Sequence, residues 1–320
     1  MTFFVIEKGA SMKQEIINIF PVHMREDLQR ITWDGIEEIR VRIGWPVELI
    51  YDNRSKWLGN YDSIIDRQGL DEMLNYITGY SVYAMEEELK QGFVTLSGGH
   101  RIGVTGHTIY ERGAKEGEYQ ITTLTDIGGL NIRIAHEKKG CAKDIVLLLR
   151  KDNSIYNTIF FAAPGIGKTT YLRDAIRILA TGDSLFPGIK CCVVDERSEI
   201  AACRMGKPQN DLGIRTDVLD ACPKEVGMRM VLRAMSPQII AVDELGKEIE
   251  FQMLEQMRCS GVKVLGTMHA GSLEELFHNK MVRNSINKGT IERFVELLRL
   301  PDGNRGFHIY DGQGRLLWEK

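Results

Sequence analysis

An apolar run, Ile159-Phe160-Phe161, stops at Pro164-Gly165-Ile166-Gly167, and Lys168-Thr169-Thr170 follow before a helical pattern begins. The order is strand, tight turn, helix start. Backbone N–H groups in such a turn point inward and favour an anion, and a helix N-terminus adds its dipole. A lysine there reaches terminal phosphates, and the hydroxyl after it can hold Mg²⁺. The segment Ala162, Ala163, Pro164, Gly165, Ile166, Gly167, Lys168, Thr169 and Thr170 therefore reads as a phosphate-binding loop. The full pattern is Gly-x4-Gly-Lys-Ser/Thr, and its first glycine is replaced by Ala162. Alanine suffices if that position needs no positive φ. The plain alternative is a glycine turn beside a chance lysine; the strand before it and the helix after it favour the loop.

The loop fixes how the second half of the chain reads. Short apolar stretches (158–162, 190–195, 239–243 and 262–267) alternate with helical ones (169–180, 223–235 and 248–260). Strands that are apolar throughout, separated by helices, imply a parallel sheet covered on both faces. Ligands bind at the C-terminal ends of such strands. Three of these ends are polar. Asp243-Glu244 closes one, where the aspartate supports hydrated Mg²⁺ and the glutamate orients or deprotonates water. Asp195-Glu196-Arg197-Ser198-Glu199 closes another; it fits a structural ion network, or Glu199 polarising the water with Asp195 or Glu196 near the metal. Thr267-Met268-His269 closes the third, and His269 is either a satisfied core histidine or a γ-phosphate sensor through Nε2–H. Arg229 and Arg233 lie four apart on one helix face, as a solvated stripe or as charges offered to a neighbouring subunit. The interval 203–222 is a long polar connection, usually functional or disordered, densest in polar groups at Arg215-Thr216-Asp217.

The first 140 residues have another rhythm. Residues 12–33 read as helical, Ile39, Val41 and Ile43 alternate with arginines, and 47–51 reads as a second strand. Helical patterns start at Gly69 and span Tyr80–Gln91, with Ser81 as an N-cap. Residues 92–108 read as a hairpin turning at Ser97-Gly98-Gly99, 111–120 as a polar loop, and 130–134 as a further strand. The expectation is an α+β domain over 1–140, joined through 138–144 to an α/β domain over 141–320. Arg40, Arg42, Arg101 and Arg133 sit on polar strand faces, where the ordinary reading is a solvated sheet face.

Net charge is −3 and neither half is basic, so composition lends no support to nucleic acid or an anionic membrane as the main partner. The six cysteines have no Cys-x-x-Cys spacing and read as reduced thiols. Residues 1–11 lack a secretory signature, and no stretch of 18 apolar residues exists. The reading is a cytoplasmic protein, brought to a membrane only through partners.

The order of these sites resembles the secretion ATPases of type II and type IV systems and of pilus retraction. Glu199, Glu244 and His269 fall on their acidic box, Asp-Glu strand and histidine box. More specifically, the chain resembles the stage III sporulation protein AA family, over IRVRIGWPVEL (39–49), 80–107, VVDERSEIA (193–201), 213–246 and GTMHAG (266–271). The resemblance implies a RecA-like P-loop ATPase domain using ATP and Mg²⁺, the metal held by Thr169 and Asp243. It implies a homo-oligomeric ring, a hexamer, and membrane channel proteins of the sporulation stage III complex as partners in the mother cell. It also implies that the N-terminal domain lends arginines, Arg133 first and Arg101 after it, to the nucleotide. Two other readings fit the same residues: a nucleic-acid-stimulated RecA-like motor, and a scaffold ordered by nucleotide with little turnover.

Overall fold

The computed structural model describes residues 8–51, 54–59, 63–79, 92–112 and 119–320. The helix expected over Tyr80–Gln91 and most of the 111–120 loop lie outside them. The chain divides into two compact units, Met1–His136 and Glu137–Lys320.

The first unit holds helices α1 (Lys8–Ile19), α2 (Arg25–Arg30) and α3 (Arg67–Ile77). Its strands are β1 (Ile36–Arg42), β2 (Glu48–Tyr51), β3 (Arg54–Trp57), β4 (Phe93–Thr95), β5 (Arg101–Arg112) and β6 (Tyr119–Arg133). The sheet runs β3-β2-β1-β6-β5-β4, and its pairs are antiparallel. Ile39 and Val41 are fully buried, as alternation demands. Ile36 is buried too, because a register shift between Ile36 and Glu38 turns it inward. The expected hairpin turn forms, with Gly98 at φ 79, where glycine carries no Cβ penalty. The ribbon of β5 and β6 is longer than expected, running to Arg112 and resuming at Tyr119. Residues 12–33 make two helices and an intervening 3₁₀ turn (Val22–Met24), because Pro21 cannot continue α1.

The second unit opens with α4 (Lys143–Leu149) and a small hairpin of β7 (Arg150–Lys151) and β8 (Ser154–Ile155). Its main strands are β9 (Thr158–Ala162), β10 (Cys191–Asp195), β11 (Thr216–Asp220), β12 (Ile239–Val242), β13 (Lys263–His269), β14 (Arg293–Arg299), β15 (Arg305–Asp311) and β16 (Leu316–Glu319). Its further helices are α5 (Lys168–Thr181), α6 (Lys224–Ala234), α7 (Glu248–Cys259), α8 (Leu273–His278) and α9 (Lys280–Asn287). The sheet order is β11-β10-β12-β13-β9-β14-β15-β16. Strands β11 through β14 in that order are parallel to their neighbours, and β15 and β16 continue antiparallel.

Every residue of β9, β10 and β12 is buried, because two cores flank the sheet. Phe160, Val193, Ala241 and Leu265 pack with Leu172 and Ile176 of α5 on one face. Phe161, Val194, Ile240 and Val264 pack with Met228, Phe251 and Leu254 on the other. Each such large side chain contributes about 1.5–3 kcal/mol on burial. The polar connection 203–222 proves to be partly a strand: β11 forms the sheet edge, and Arg215 donates to the carbonyls of Ala180 and Thr181 at the end of α5. Pro223 caps α6 rather than entering it. Gly261, at φ 75, follows the C-cap Ser260 of α7.

Candidate functional site

Parallel strands align their C-terminal ends, so Ala162, Asp195, Val242 and His269 arrive at one edge of the sheet. Ala162 is the last residue of β9 and pairs with His269 of β13. Its φ is not positive, whereas Gly165 and Gly167 adopt φ 78 and 106. The two glycines supply the left-handed turns, and the chain enters α5 at Lys168.

Lys168 is buried, and its Nζ donates to the carbonyls of Ala162 (2.9 Å) and Ala163 (3.2 Å) and to Nδ1 of His269 (3.0 Å). Burial pushes its pKa down, opposed by the charges of Asp243 and Glu244. An ammonium only donates, so Nδ1 of His269 accepts and the ring proton sits on Nε2. That Nε2–H meets Glu244 Oε1 at 2.8 Å. The other oxygen of Glu244 is 2.5 Å from Arg197 Nη1. Burial acts to raise the Glu244 pKa, but the His269 hydrogen bond and the nearby charges of Arg197 and Lys224 outweigh it and hold it below the usual range. Glu244 lies at φ 51, a conformation rare outside glycine and concentrated at functional sites.

A second chain of bonds runs beside the first. Thr169 Oγ1 donates to Asp243 Oδ2 at 2.6 Å. Thr267, fully buried, donates to Asp243 Oδ1 and accepts from Glu244 N at 2.8 Å. Thr169 and Asp243 are hard oxygen donors, suited to Mg²⁺ that keeps waters and substrate oxygens as its other ligands. Among the described residues no group of three or more His, Cys, Asp or Glu could hold a metal by itself. The six cysteines are free thiols, and burial pushes Cys141, Cys191 and Cys203 up to about 12.

Asp195 is occupied elsewhere. Its carboxylate accepts the N–H groups of Glu199, Ile200 and Ala201, while burial pushes its pKa up to about 6. Arg173 of α5 donates to the carbonyls of Glu199 and Ile200. The acidic box is thereby folded around Asp195 and tied to the loop helix, with half-buried Glu199 on the cleft it shares with Arg197, Lys224, Asp243 and Glu244. Glu196 pairs with Lys224 at 3.0 Å. Arg229 and Arg233 do not line this cleft. They are exposed on the outer face of α6, around a shallow groove with Glu225, Val226 and Met230. In the first unit Arg42 and Arg40 face Glu48 (2.6 and 3.6 Å), Arg133 lies 3.7 Å from Glu38, and Arg101 stacks on Phe93. Sequence reasoning missed Arg173, Lys224, Glu250 and the double role of Thr267; only Thr267 carried a signal, two residues before His269.

A family model described as sporulation stage III, protein AA, matches residues 10–317. The stage III sporulation protein AA of Bacillus subtilis (strain 168) is 39% identical over 306 residues, 95% of this chain and 96% of that protein. Among solved structures, the Legionella pneumophila ATPase DotB superposes with a TM-score of 0.60 at 18% identity, covering 92% of this chain and 81% of that one. The pilus retraction motor PilT with bound ADP gives 0.59 at 16% identity, over 89% and 80%. At these identities the likeness shows the fold alone: an α/β, RecA-like unit with a smaller α+β unit before it in the chain. No helix among the described residues is long and apolar enough to cross a membrane.

Proposed function

Because this chain belongs to the sporulation stage III protein AA family, we propose that it is an ATP-hydrolysing motor, assembled as a homo-oligomeric ring, that serves the stage III channel proteins between mother cell and forespore. The observation that carries the reading is the continuous bonding of the loop to two strand ends: Lys168 to His269 to Glu244, and Thr169 to Asp243 to Thr267.

In this reading the loop N–H groups cradle the phosphates of ATP. Lys168 exchanges its carbonyl partners for β/γ oxygens. Thr169 and Asp243 would hold Mg²⁺, which supplies positive charge to the transferred phosphoryl group. Glu244 takes a proton from the attacking water, with Glu199 on the opposite wall as the other carboxylate able to orient it. His269, released by Lys168, turns its Nε2–H between Glu244 and the γ-phosphate. Arg133, with Arg101, Arg229 and Arg233 behind it, is the proposed source of charge on the leaving phosphate, from the same or a neighbouring subunit. An arginine supplied in trans is worth roughly 10³–10⁵ in rate, so the proposal makes the isolated subunit a poor enzyme and the hexamer the active form.

The test is steady-state ATP hydrolysis by the full chain with Mg²⁺, with subunit number read by native mass measurement in the same buffer. Wild type should exceed Lys168→Ala and Glu244→Gln by orders of magnitude, and specific activity should rise with assembly. Wild type no faster than both variants in the assembled state would sink the motor reading.

A further inference from the structure

Lys224 is the first residue of α6, buried to 6% exposure, and neither motif matching nor the chemistry above gives it a role. Its ammonium faces three oxygens, one of them a carbonyl and two of them carboxylate. It donates to the main-chain carbonyl of Glu244 at 2.9 Å. It pairs with Glu196 of the acidic box at 3.0 Å and lies 3.5 Å from Glu250 of α7. Glu250 is 1% exposed, and its other oxygen accepts the N–H groups of Gly246 and Lys247. A buried cation is tolerated only when so surrounded.

These contacts enclose the strained turn after β12. Thr267 accepts the Glu244 N–H on its hydroxyl and the Leu245 N–H on its carbonyl. Glu250 takes the next two N–H groups, and Lys224 takes the carbonyl of Glu244 itself. Without that last bond the peptide after Glu244, whose φ is 51, is held on its N–H side alone, by the Thr267 carbonyl, and its own C=O is left untied. A rotation there swings the carboxylate away from His269. We propose that Lys224 is a positioning residue for Glu244: it holds the peptide that aims the general base, and it locks that aim to the acidic box through Glu196. The inference rests on the ATPase reading above and names a residue that acts on it without touching the substrate.

Lys224→Met alone leaves Glu250 buried without its cation, so the fold itself could fail. The test variant is therefore Lys224→Met combined with Glu250→Gln, which removes both buried charges and keeps a carbonyl oxygen for the Gly246 and Lys247 N–H groups. In the full chain, with Mg·ATP, kcat should fall roughly 100-fold, the scale of a small misplacement of a catalytic group, while KM holds. Placed in a Glu244→Gln background, the same pair should cost nothing further, because the group it aims is already gone. A merely structural role gives a different pattern: an additive loss in the Glu244→Gln background, or KM and thermal midpoint moving together with kcat. Either result overturns the assignment while wild-type turnover stands. If wild type turns over no faster than Lys168→Ala, the ATPase reading falls, and this assignment falls with it.

Discussion

Replacing Thr267 by valine isolates one oxygen atom. The side chain is fully buried, and valine fills nearly the same volume, so packing around β13 is kept. What goes is the hydroxyl that donates to Asp243 and accepts from Glu244 N at 2.8 Å. A hydrogen bond to a charged carboxylate contributes about 1.5–3 kcal/mol, and the amide bond about 0.5–1.5 kcal/mol. The amide loss lies at the low end, since Glu244 N also reaches Asp243 Oδ1 at 3.1 Å. The sum is about 2–4 kcal/mol, which for a unit of this size is roughly 4–16 °C in thermal midpoint. Turnover suffers separately, because Asp243 and Glu244 both lose their anchor; about 10²-fold in kcat is the expected scale. The assay is a thermal melt and Mg·ATP hydrolysis on the same preparations, with Thr267→Ser, which keeps the hydroxyl, as the rescue. Wild-type melting and turnover in Thr267→Val would refute the argument that this hydroxyl aligns the strand end.

Two further perturbations probe the fold. His100 is fully buried and accepts Ala135 N–H on Nδ1; burial, then the charge of His136, pushes its pKa down to about 4. A depressed pKa means the unfolded chain takes the proton first, so stability is full above about pH 6.5 and falls toward pH 4, by about 2 kcal/mol at pH 5; urea melts at pH 7 and 5 should show a drop that His100→Gln lacks. At Gly227 an added Cβ would meet Val194 Cγ1 at 2.4 Å, so overpacking of about 1–3 kcal/mol should outweigh the ~1 kcal/mol gain in helix propensity; a stabilised Gly227→Ala would show that α6 is not so tightly seated on β10.

The buried strands were legible in the sequence because both their faces need apolar side chains, and no loop is written that way. Asp243, Glu244 and His269 stood out as polar residues at the ends of such runs, and the structure bonds Asp243 to Thr169, and His269 to both Lys168 and Glu244. β11 was hidden because it is a half-exposed edge strand inside a polar connection. Its pairing to β10 is a matter of backbone, which composition does not record. Lys224 and Arg173 were hidden for a related reason. Each acts on main-chain carbonyls, of Glu244 and of Glu199 and Ile200, and every residue type offers the same carbonyl. The arginine pairs of the first unit illustrate the converse. Arg40 and Arg42 were visible on a strand face, but their common partner Glu48 is fixed only by the register of β1 against β2.

Ala162 closes a ladder rung against His269 in an ordinary extended conformation. A methyl group at such a position narrows the unfolded ensemble, so alanine leaves the unliganded chain about 0.4–1 kcal/mol more stable than glycine would. Glycine at the head of the loop is therefore a habit of the motif that this backbone does not enforce.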